Sequence, residues 1–144
     1  MFFTKDRQQM RQYFYDSWKK YQAKLPMEPM EALIGETIAA HPEYHPVLER
    51  DGDKLNRDYF PEVGDANPFL HLALHIALRE QLTTNRPDGV REAHQALAAK
   101  LGDLHQVEHV MIDCLWETLS RIQRQNEPYN DAQYLGCLRR LAQS

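Results

Sequence analysis

Between Asn67 and Gln81 the chain reads Asn-Pro-Phe-Leu-His-Leu-Ala-Leu-His-Ile-Ala-Leu-Arg-Glu-Gln. Asn67 is suited to cap the first free N–H groups of a helix, and Pro68 suits its first position. A surface helix carries one apolar stripe, but this one is apolar on nearly every side for about three turns. Such a helix cannot lie at an edge; other elements must enclose it. His71 and His75, four residues apart, leave the same face, which Leu74, Leu78 and Leu82 share. Both imidazoles therefore point into packing. A buried histidine pair needs partners, and a metal ion is the sharpest candidate.

The flanking sequence supplies helices to surround it. Residues 5–23 form a first helix with Met10, Phe14, Trp18 and Tyr21 on one stripe. A second runs from about Glu28 to Ala40, with Met30, Leu33, Ile34, Thr37 and His41 on one side. His41-Pro42-Glu43-Tyr44-His45-Pro46 must end or bend it, because residues before proline avoid helical geometry. From Glu49 to Ala66 lies the longest loop, with Tyr59-Phe60-Pro61 as an anchor. After the histidine helix, Asn85–Gly89 forms a turn and a fourth helix spans Val90–Leu101. Gly102 stops it, and Asp103 caps a fifth that reaches Gln125. Asn130 caps a last short one, with Tyr134, Leu135, Leu138 and Leu141 inward. No strand pattern, repeat or linker interrupts this series. The expected fold is all-α, a compact bundle of about six helices forming a single domain over residues 1–144.

Net charge −4 and a pI near 6.0 give no electrostatic reason to expect nucleic acid or an anionic membrane. No apolar run approaches the roughly 20 residues of a membrane span. The amino terminus turns charged too early for a secretory signal. Cys114 and Cys137 lack metal-type spacing and are expected to be buried free thiols in a reducing cytoplasm, in preference to a disulfide. A homo-oligomer is compatible with all of this, and the sequence leaves any small-molecule substrate unknown.

Six of the seven histidines fall into His-x-x-x-His pairs: His41/His45, His71/His75 and His105/His109. Random placement would give about 0.3 such pairs, so the pattern favours design. On the fifth helix, His105 and His109 border the apolar arc of Leu104, Val107, Met111, Ile112, Leu115, Leu119 and Ile122. Glu108 falls inside that arc, where a carboxylate must be paired, protonated or metal-bound. Asp113 lies beside His109 on the polar side. Glu80 faces away from His71 and His75 and is expected in an ion pair with Arg91 or Arg121. His41 continues the apolar stripe of helix two, whereas Pro42 and Pro46 leave the direction of His45 open. The expected ligands are His41, His71, His75, His105, His109 and Glu108. They suit a divalent transition metal, with zinc and iron leading. There is no His-Glu-x-x-His, no phosphate loop and no Gly-x-Ser-x-Gly elbow.

Three segments together, His41–His45, Asn67–His75 with Arg79–Gln81, and His105–His109, resemble a family of short proteobacterial proteins known only as a domain of unknown function. The resemblance spans essentially the whole chain and implies a soluble bacterial protein without assigning an activity. A weaker similarity is to hemerythrin-like and DinB-like helical bundles, whose histidines converge from several helices. The spacing departs from hemerythrin: no His-x-x-x-Glu follows His71, and the terminal His-x-x-x-x-Asp is here His109-x-x-x-Asp113.

Two function classes follow. One is a metal-binding helical protein with an interior His/carboxylate site; catalysis there would need an open coordination position, with Glu108 as a base. The other is a non-catalytic interaction or assembly module, whose histidines and acids form a buried hydrogen-bond network.

Overall fold

The computed structural model describes residues 7–49, 67–126 and 128–143, and every regular element among them is helical. In order these are α1 (Arg7–Gln22), α2 (Pro29–Ala39), a 3-10 turn (Pro42–Tyr44), α3 (His45–Glu49), α4 (Pro68–Thr84), α5 (Val90–Leu101), α6 (Leu104–Gln125) and α7 (Asp131–Gln143). Six of them are substantial helices and α3 is little more than one turn, which agrees with the all-α expectation. The proposed Tyr59-Phe60-Pro61 anchor lies outside the described residues. Two compact units divide the chain, residues 1–76 and 77–144. The division falls within α4.

In the first unit, α1 packs on α2 and α3. The stripe expected on α1 is core: Phe14 and Trp18 are buried, and Met10 and Tyr21 pack against them. Ile34, Ile38, Leu48, Phe69, Leu72, Ala73 and Ile76 complete that core. Burying each large side chain is worth about 1.5–3 kcal/mol, so these residues account for most of the driving force. Gly35 lets α1 and α2 approach closely: a Cβ there would meet the Tyr21 ring and its Cβ at 2.6–2.7 Å. At the start of α2, Glu31 accepts the Glu28 N–H at 2.9 Å and the Lys20 ammonium at 2.6 Å. The Arg11 guanidinium lies over the Phe69 ring, 4.7 Å from its centroid.

Asn67 caps α4 as its sequence indicates, its side-chain oxygen accepting from the N–H groups of Phe69 and Leu70 at 3.0 and 3.1 Å. Phe69, Leu72, Ala73, Leu74, His75, Ile76 and Leu78 are all buried, whereas Leu70, His71 and Ala77 are half-buried. At its far end the Arg91 guanidinium donates to the carbonyls of Leu82 and Thr83, both at 2.6 Å. Arg91 thus serves the open end of α4 and is not the ion-pair partner expected for Glu80; Arg121 lies by Glu117 instead, at 3.7 Å.

In the second unit α5, α6 and α7 pack on one another. Val90, Ala93, Leu97, Val107, Met111, Ile112, Leu115, Tyr134, Leu135 and Leu138 are buried there. Asp103 caps α6 by accepting the His105 N–H at 2.9 Å, and Asn130 caps α7 from the Ala132 N–H at 2.8 Å. Tyr134 donates its hydroxyl to Gln81 Oε1 at 2.7 Å, and burial pushes the phenol well above its ordinary range. Leu104 and Leu141, expected inward, are 62% and 37% exposed, Leu104 being the first residue of α6 and Leu141 lying in the last turn of α7. Leu70 and Leu119 are half-buried where full burial was expected.

One expectation is overturned outright. Cys114 and Cys137 are joined by a disulfide, with Cα atoms 5.8 Å apart. The apolar faces of α6 and α7 bring the two thiols together, a proximity that helical phase within either segment could not show. The free-thiol argument for a reducing cytoplasm falls with it. No described helix is long and apolar enough to cross a membrane.

Candidate metal centre

The site begins at the carboxyl end of α2, where the last carbonyls of any helix lack intrahelical donors. The Ile38 carbonyl would ordinarily receive the N–H of residue 42, but Pro42 has none. His45 fills the gap: its Nε2 donates to Ile38 O at 2.8 Å while its ring packs on Trp18, centroids 4.7 Å apart. The backbone N–H of His41 turns to the same carbonyl at 2.9 Å. His41 Nδ1 then reaches back to the Thr37 carbonyl at 2.7 Å. A carbonyl only accepts, so Nδ1 of His41 carries a proton; in the neutral ring, Nε2 is left with a lone pair. Pro42, which helped make this stretch unreadable, thus leaves vacant the carbonyl that orients His45.

On α4, His71 and His75 present Nε2 toward one another at 3.0 Å. His75 Nε2 also lies 3.0 Å from His41 Nε2. Each of the three rings offers one nitrogen, and these lie within 4.8 Å of one another. His41 and His75 are 2% and 1% exposed, and His71 is half-buried. Tyr44 packs against the cluster, its ring 5.8 Å from that of His41 and 5.7 Å from that of His71. Burial first, then the Glu43 carboxylate, raises its phenol above the ordinary value of 10.0, so Tyr44 is uncharged near neutral pH.

Three imidazole nitrogens facing one point are a chelating arrangement. Metal–nitrogen bonds of about 2.0–2.1 Å in a tetrahedron set the nitrogens about 3.3–3.4 Å apart. The two 3.0 Å separations are therefore a few tenths of an ångström short, and an ion would enter with a small outward movement of the rings. The carbonyl bond at His41 Nδ1 is the arrangement that fixes the tautomer of a metal-binding histidine.

The other expected ligands, His105, His109 and Glu108, are carried by α6. His105 and His109 belong to the second unit, their ring centroids 4.3 Å apart. His109 Nδ1 donates to the His105 carbonyl at 2.9 Å, the same backward bond that His41 makes. Glu108 accepts from Arg79 Nε at 3.3 Å, which gives the carboxylate inside the apolar arc its compensating charge. Asp113 is exposed. Sequence reasoning nominated His41, His71 and His75 but missed Tyr44 and the capping part of His45. The signal for His45 was present in Pro42, which deletes the donor that Ile38 requires.

The model of one protein family, described as Domain of unknown function (DUF1841), matches residues 6–140. The chain belongs to this family. No curated protein and no solved structure matches it. The histidine cluster, the described helices and both units lie almost wholly inside the DUF1841 match. The likeness to hemerythrin-like and DinB-like proteins is not among these findings. For DUF1841, function has to be argued from the site.

Proposed function

We propose that this protein binds one divalent transition metal through His41, His71 and His75. The observation that carries the reading is the convergence of three Nε2 atoms in the interior, with the His41 proton fixed on Nδ1 by the Thr37 carbonyl. Zinc and iron are the leading candidates, since imidazole suits both. His105, His109 and Glu108 remain proposed contributors on sequence grounds; Glu108 would have to exchange Arg79 for the ion. If the site is catalytic, the ion would activate a bound water or bind dioxygen at an open position.

A second reading has its own support. His75 Nε2 at 3.0 Å from both neighbours is also the geometry of protons shared between rings. On that reading the cluster is a hydrogen-bond network inside an interaction module.

Melting with and without chelator separates the two. A metal bound only by the folded state stabilises it by mass action. The metal reading expects chelator to lower the melting temperature of the untreated protein, and His71→Ala to remove most of that sensitivity. The network reading expects His71→Ala to destabilise by leaving buried partners unsatisfied, with no chelator effect in either protein. A chelator-indifferent wild type would reject the metal reading.

A further inference from the structure

Resting on that metal reading, we infer that His45 is a positioning residue for the site: its ring N–H pins the turn that carries His41, and so sets how tightly the ion is held. His41 stands at the break between α2 and the 3-10 turn, with φ −126° and ψ 70°, outside the helical region. A residue with that backbone does not inherit its orientation from either neighbouring segment. Its imidazole stays aimed at His71 and His75 only while both sides of the break are fixed. On one side α2 fixes it through the His41 N–H, which donates to Ile38 O at 2.9 Å.

The other side is the turn itself. Tyr44 N–H donates to His41 O at 3.0 Å, and the backbone N–H of His45 donates to Pro42 O. These bonds shape the turn without fastening it to α2. The His45 ring makes that fastening. Its Nε2 crosses from the far end of the turn to Ile38 O at 2.8 Å, and the ring lies against the buried Trp18 of α1. A carbonyl oxygen has two lone pairs, so Ile38 serves His41 and His45 at once. The same turn holds the Tyr44 ring against those of His41 and His71. Freed at His45, the turn swings, and His41 Nε2 spends less time 3.0 Å from His75 Nε2. An ion that needs all three rings is then bound more weakly, in proportion to the fraction of molecules with the rings in place.

The test compares cobalt(II) affinity, read from its visible bands, in the full chain and in variants of His45. His45→Phe keeps an aromatic ring against Trp18 and removes the donor. His45→Gln returns an N–H near the place of Nε2. We expect His45→Phe, with helical circular dichroism like that of the wild type, to bind cobalt roughly tenfold more weakly, and His45→Gln to recover most of that loss. Should His45→Phe not fold, His45→Asn takes its place, since its shorter amide stops short of the carbonyl. Equal affinity in wild type and the donor-less variant would overturn the inference. Equal weakening in that variant and His45→Gln would overturn it too, because the donated proton would then not be what matters. A folded wild type that binds no cobalt would instead defeat the underlying metal reading, and this inference with it.

Discussion

At the scale of single residues, most of the chemistry is set by what a neighbouring proline or charge removes or supplies. Pro42 withholds an N–H, and His45 and His41 take over the carbonyls left at the end of α2. Glu31 shows the electrostatic counterpart. Its carboxyl is held below the ordinary 4.5 chiefly by the Lys20 ammonium, then by the Glu28 N–H. A carboxyl lowered in the folded state lends stability that is present above 4.5 and lost as pH falls through the folded value. The Lys20 ammonium, raised from 10.5 by the same partner, lends stability that is complete below that value and fades as pH climbs through the raised one. Glu31→Gln should therefore flatten the acid limb of the stability profile and leave the region around neutrality less stable than wild type. Denaturation midpoints from pH 3 to 7 check this; an acid limb of unchanged steepness in the variant would speak against it. His41 was legible because it continues the stripe of α2. His45 was not, since its direction depends on a turn whose geometry emerges only when the vacant carbonyls are counted.

Among the elements, periodicity and caps placed every long helix to within a residue or two, because each begins at a side chain that accepts a free N–H or ends at a break. What they could not supply was how one helix meets another. The disulfide between α6 and α7 is the clearest instance: each cysteine sits plausibly in its own helix, and only packing joins them. The contact of α1 with α2 at Gly35 is another. Helix propensity alone favours alanine over glycine by about 1 kcal/mol. The Tyr21 Cβ and ring at 2.6–2.7 Å leave no room for it, and the obstructing atoms are not the far end of a flexible chain. Overpacking of this kind costs about 1–3 kcal/mol, so it outweighs the propensity gain. Gly35→Ala should lower unfolding free energy by about 1–2 kcal/mol net in chemical denaturation. A variant more stable than wild type would show that the two helices are free to separate.

For the molecule as a whole, the apolar helix α4 governs both the fold and the function proposed for it. Most of its apolar side chains from Phe69 to Leu78 are buried, and the two histidines it carries meet a third from the end of α2. Family membership fixes the company this chain keeps without fixing an activity. The central claim is that the cluster formed by His41, His71 and His75 holds an ion, and metal content tests it most directly. Protein purified without an affinity tag and without chelator, then given one equivalent of zinc or iron(II) and dialysed, should retain close to one metal per chain by elemental analysis. His41→Ala and His75→Ala should each retain far less while keeping their helical circular dichroism. No stoichiometric metal in the folded wild type, or equal metal in wild type and both variants, would contradict the account.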